Sequence, residues 1–272
     1  MPERARLMRA CVAVMTAITL SAVSLPAVAH EFWLEPDSFT PETGKPVSFS
    51  HYVGQSFKGE SYPFLQDWIV RYVVADAAGE RPVKGVAGDD PAAKISFHRA
   101  GLKILAYHGT PDSLSFDTWE KFEAYLRKEG LEHIAPLHRA EGKPETAIRE
   151  LYSRCAKTLV QVGGGAGGED RAVGLPLELV AERNPYMLAA GEALPVRLLH
   201  TGKPIAGATI KVFSKADPKN PRRVRTDAEG RATIALPQPG AYLLNAVHMT
   251  APAPTDDAHW TSLWASLTFR RP

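Results

Sequence analysis

The chain carries two cysteines in 272 residues, too few for a disulfide framework. It also has no long run of one charge sign. Lys and Arg number 32 against 30 Asp and Glu. Without a basic stripe a dedicated nucleic-acid binder is excluded, and no nucleic-acid partner is expected. Enzyme signatures are missing too. There is no Gly-x-Ser-x-Gly elbow, Ser153 and Lys157 lie four apart instead of three, and the carboxylates are scattered. No catalytic residue and no organic cofactor is assigned. What the chain has in quantity is turn formers, with 21 Gly and 22 Pro in a sequence that is 44% hydrophobic and 23% charged. That composition fits a turn-rich, mainly β protein.

Residues 1–29 read as a secretory leader. Arg4, Arg6 and Arg9 precede the apolar run Cys11 to Leu25, and Ala27-Val28-Ala29 puts small residues where a signal peptidase cuts. The run is too short for a comfortable membrane span. Removing the leader takes 29 of 272 residues and leaves 243. It takes three Arg and one Glu, so 29 basic and 29 acidic residues remain. Cys155 is then the one cysteine left, the expected location is the periplasm, and the new first residue is His30.

Short apolar segments bounded by Gly, Pro and Asp follow. Strands are expected at Pro46 to Tyr52, Asp67 to Val74, Leu102 to His108, Leu175 to Ala181, Leu194 to His200, Ala208 to Phe213, Ala232 to Leu236, Ala241 to His248 and Ser262 to Phe269. Asp76-Ala77-Ala78-Gly79 and Asp227-Ala228-Glu229-Gly230 are turn signals. One helix is expected after an Asp117 cap, with Trp119, Phe122, Tyr125 and Leu126 on one face, Glu120 completing a capping box, and Gly130 as its end. His133 to Glu145 reads as a polar loop with His133 and His138 solvated. Glu150 to Val162 fits a helix or a strand and is read as a helical start leading into a strand. Gly163 to Gly168 lacks the Gly-Lys-Ser/Thr of a phosphate loop and reads as a linker or hairpin tip.

The rhythm points to two β-sandwich domains, residues 30–168 and 169–272, with a short helical insertion at about 116–150 in the first, and a repeat between the halves would make both immunoglobulin-like. A weak repeat supports this. Gly44 to His51 resembles Gly191 to His200, and Gly101 to His108 resembles Gly240 to His248.

An N-terminal histidine offers two ligands, its α-amine and its ring Nδ1, which close a chelate of the histidine-brace kind. Imidazole suits copper, nickel and zinc, and residue type does not choose among them. The bland alternative is a frayed end. His248, in Val247-His248-Met249 at a strand end, and His108, in Tyr107-His108-Gly109, are the expected partners, with His51 in reserve. Met249 alternates away from His248. His98, His200 and His259 read as structural or surface residues. Tyr152, Arg154 and Lys157 form a polar cluster around Cys155 that suits an anion or solvent.

The motif His30-Glu31-Phe32-Trp33-Leu34-Glu35-Pro36 behind a leader, Tyr107-His108, Tyr125 to Leu131, Tyr152 to Lys157, Asn245 to Met249 and Trp264 to Phe269 together resemble a family of secreted bacterial proteins of unknown function grouped with NikM-like nickel/cobalt transport components. The resemblance spans nearly all of the mature chain. It implies an immunoglobulin-like or prealbumin-like C-terminal sandwich and periplasmic handling of a transition metal. A membrane metal transporter or an outer-membrane receptor is the implied partner. NikM proteins proper work in a membrane complex; this chain has no set of transmembrane helices, so the expectation is a binding or delivery protein for nickel, cobalt or copper. The rival expectations are a metal-free recognition or adhesion module and, third, a copper oxygenase.

Overall fold

A computed structural model describes residues 30–165 and 167–272. The leader lies outside the described residues. The first half contains β1 (Glu31–Pro36), β2 (Pro46–Gln55), β3 (Lys58–Tyr62), β4 (Ile69–Asp76), β5 (Gly79–Pro82), β6 (Ala93–Ser96), β7 (Gly101–Gly109), β8 (Asp112–Thr118), α1 (Trp119–Glu129), α2 (Ile134–Ala140) and β9 (Thr146–Val162). The second half contains β10 (Leu177–Ala181), β11 (Leu194–His200), β12 (Lys203–Pro204), β13 (Thr209–Ser214), β14 (Asp217–Arg225), β15 (Arg231–Ile234), β16 (Gly240–Thr250) and β17 (Trp260–Arg271). The fold is mainly β, as composition and turn spacing imply.

One sheet runs through both halves in the order β14-β13-β16-β17-β9-β7-β4-β5, with β8 beside the start of β9. Its middle pair, β9 and β17, is parallel from Glu150↔Trp260 to Thr158↔Thr268. Two smaller sheets cover it. β1-β2-β3 with β6 forms the first, and β10-β11-β12 with β15 the second.

Side-chain alternation shows that the small sheets lie on opposite faces. On β7, Leu105 and Tyr107 join Val47 and Phe49 of the first small sheet in one core. Their neighbours Ile104 and Ala106 join Leu177, Val196 and Leu198 of the second in another. Each half therefore repeats one plan: an outer sheet built on β2 or β11, packed on four strands that end in β9 or β17. The sequence repeat coincides with equivalent strands, β2 with β11 and β7 with β16.

The helices cover the front of the second half. Trp119, Phe122 and Leu126 of α1 pack with Val247, Met249, Trp260 and Trp264. Thr118, not Asp117, caps α1, its Oγ1 accepting from the Lys121 N–H at 3.5 Å. Gly130 ends the helix at φ 76°, where a Cβ would stand 2.3 Å from Thr209 Oγ1.

Three expectations are corrected here. The loop expected from His133 contains α2, because Pro136 falls in the first turn, where no helical N–H is needed. His138 is fully buried, its Nε2 bonded to the Pro144 carbonyl and its Nδ1 accepting from Trp260 Nε1, both at 2.9 Å. Residues 150–162 are strand throughout, within β9. That strand is covered on both faces, Cys155 and Leu159 pointing back and Ala156 and Val160 forward, so its apolar run has no clean alternation. Gly163, Gly165 and Gly168 have a dinucleotide-loop spacing, but a strand follows them, not a helix.

Candidate functional site

The four histidines expected as ligands occupy separate environments. His30 is half-buried just before β1, on the front of the central sheet. His51, on β2, is buried among Phe32, Tyr72 and Tyr107, with ring centroids 5.7, 5.2 and 5.1 Å away. Burial lowers its pKa to about 4, against a smaller opposing pull from Asp90, and its Nε2 has no hydrogen-bond partner. His108 follows Tyr107 on β7 and therefore faces the back of the sheet, half-buried, its pKa lowered by burial and by Arg71.

His248 also faces back, in step with Ala246, while Val247 and Met249 face the helices. The separation of Met249 from His248 by strand alternation is thus observed. Strands β17 and β9 lie between β16 and β7, which sets His248 and His108 roughly 14 Å apart at about 4.8 Å per strand. Two parallel side chains on one face do not bend to a common ion over that span. His30 and His51 lie across the sheet from His248. The expected set does not assemble around one ion, and among the described residues no three His, Cys, Asp or Glu side chains stand close enough to hold one.

The structure does bring together one pair of histidines. His200, at the end of β11, faces His248 with ring centroids 4.7 Å apart and planes inclined at 55°. Burial first, then the nearby His200 and His133, lower the His248 pKa to about 4. The ring is neutral at pH 7 and keeps a lone pair for a metal. Sequence reasoning treated His200 as structural. The signal was present in the repeat, since His51 and His200 end matching segments. In both halves that last inward histidine meets a ring on the equivalent strand, Tyr107 in the first half and His248 in the second.

The cluster around Cys155 splits between faces. Lys157 points back into buried carboxylates, 2.8 Å from Asp170 and 3.1 Å from Glu178, while Tyr152 and Arg154 point forward. Burial pushes the Cys155 thiol up to about 12, so it is protonated and inert near neutral pH.

A second polar cluster lies under the start of β1. Lys211 Nζ bonds Glu31 Oε1 at 2.9 Å and Glu129 Oε2 at 2.5 Å. Nearby Glu150 accepts from Tyr125 Oη at 2.9 Å and from Ser262 Oγ. Burial is the main cause that raises the Glu150 pKa to about 7; hydrogen bonds from Ser262 and Tyr125 oppose it, and the charge of Glu129 adds to it.

A family model for a domain of unknown function, DUF4198, matches residues 27–250. The chain belongs to the DUF4198 family. No curated protein matches. Among solved structures, the D0-D1 domain of intimin is similar at 12% identity and a TM-score of 0.21, over 88% of this chain and 97% of that one. A mutant of Salmonella alpha-2-macroglobulin is similar at 13% identity and a TM-score of 0.20, over 89% of this chain and 15% of its own. Among the described residues no helix is long and apolar enough to cross a membrane.

Proposed function

We propose that this DUF4198 chain is a periplasmic protein that binds and delivers a transition-metal ion, nickel, cobalt or copper, in the manner implied by its resemblance to NikM-like components. The observation that supports this reading is the His200–His248 pair. Two imidazoles at that separation, one held neutral by burial, form a nitrogen donor set suited to these ions. His248 keeps the ligand role expected of it, and His200 takes the place of His108 as its partner. The amine and ring of His30, on the other side of the sheet, form a second and separate chelate once the leader is removed.

Calorimetric titration of the processed protein with Ni²⁺, Co²⁺ and Cu²⁺ tests this, alongside His248→Ala, His200→Ala and a version with one residue added before His30. Each alanine variant is expected to weaken one class of site by about tenfold or more. The added residue weakens the other class alone. Unchanged isotherms in both alanine variants would refute the pair as a site.

A further inference from the structure

We propose a second binding site, independent of any metal, for a small aromatic carboxylate on the front of the first half. A cleft of about 190 Å³ opens there, lined by Trp68, Tyr107, Thr110, Asp112, Tyr152 and Arg154. Three of these residues, Trp68, Tyr107 and Arg154, also line a smaller recess of about 20 Å³ that reaches His51. That recess has room for one buried oxygen atom.

The central group is Arg154. Its guanidinium carbon lies 5.6 Å over the Phe32 ring and 5.1 Å over the Tyr152 ring. Its side chain makes a single long hydrogen bond, Nη2 to Tyr152 Oη at 3.4 Å. Among the described residues no carboxylate forms an ion pair with it. A half-buried guanidinium lying over two rings, with most of its donors unspent, is a receptor for a planar anion that accepts two parallel hydrogen bonds.

Two further observations select a carboxylate attached to a ring. The buried His51 Nε2 has no partner; with the ring proton on Nε2 it donates to a carboxylate oxygen that enters the recess and is also held by Arg154. At the mouth Trp68 is 49% exposed beside Tyr62, which is 36% exposed, their ring centroids 6.0 Å apart. An exposed indole facing an open cleft offers a flat surface for a ligand ring. The acid of the cleft, Asp112, accepts from Tyr152 Oη at 2.8 Å and from the Ser113 N–H at 2.7 Å and makes no ion pair with the arginine, so the guanidinium donors stay open to a ligand.

Intrinsic fluorescence tests the proposal, because Trp33, Trp119, Trp260 and Trp264 are buried and Trp68 is not. The probes are benzoate and phenylacetate, with benzyl alcohol as the neutral counterpart and acetate as the anion without a ring. Benzoate or phenylacetate is expected to shift Trp68 emission with saturation in the micromolar to millimolar range. Arg154→Gln is expected to weaken that binding by about tenfold or more and to leave any benzyl alcohol response unchanged. Trp68→Ala, at an exposed site that does not threaten folding, weakens it in a calorimetric measurement. Equal binding of the acid by Arg154→Gln, equal binding of benzyl alcohol or acetate by the unaltered protein, or no saturable response to either acid would each overturn the assignment.

Discussion

Glu150→Gln is expected to make the protein more stable at pH 8. The carboxyl is buried and its pKa is raised from 4.5 to about 7. As pH rises through 4.5, the unfolded chain ionises this group while the folded protein keeps it protonated, so the folded state loses stability until its own carboxyl ionises near 7. The shift of about 2.5 units corresponds to about 3 kcal/mol, fully developed above pH 7. A glutamine keeps the shape and still accepts from Tyr125 and Ser262 through its oxygen. Its NH₂ stands where Glu150 Oε2 already lacks a partner, so one uncharged orphan group replaces another at both pH values and the pH-dependent part of the difference is unaffected. The variant never ionises and escapes the penalty.

Thermal melts of both proteins at pH 8 and pH 4.5 read this directly. For a chain of this size, about 3 kcal/mol corresponds to a melting temperature roughly 6–12 °C higher at pH 8, with the gap closing near pH 4.5. His51 acts in the opposite sense, since its lowered pKa removes stability as pH falls from 6.5 to about 4. Because both proteins contain His51, the difference between them cancels it. A gap that is absent at pH 8, or the same size at both pH values, would refute the account.

Further expectations follow from other sites. Gly130→Ala places a Cβ against Thr209 at a φ of 76°, so it should destabilise by about 1–3 kcal/mol, seen as a lower denaturant midpoint with unchanged slope. Burial lowers the His248 pKa to about 4, so its ring should stay neutral between pH 7 and 5.5; NMR of its ring Cε1–H signal, assigned with His248→Ala, checks it, and a titration of that signal inside this window would refute it.

Local pattern carried much of the fold. β11 begins and ends where the alternation of Leu194 to His200 says it should, and α1 follows its apolar stripe to Gly130. β9 was obscured because burial on both faces removes the period of two, and α2 because Pro136 looks like a breaker unless its place in the first turn is known. The β9–β17 seam left no local trace at all, since it joins residues more than a hundred positions apart. At the candidate site the limit was of the same kind. His248 stood out by its setting at a strand end, but its partner is fixed by how two sheets stack, and His200 differs from His108 only in that respect.

The parallel seam between β9 and β17 joins the two halves edge to edge in one sheet. Either half produced alone would end in a bare strand, with backbone donors and acceptors from Glu150 to Thr158, or from Trp260 to Thr268, open to any other chain. A truncation at the glycine run therefore yields fragments with an adhesive edge. A nick at the same point leaves the pieces laced together.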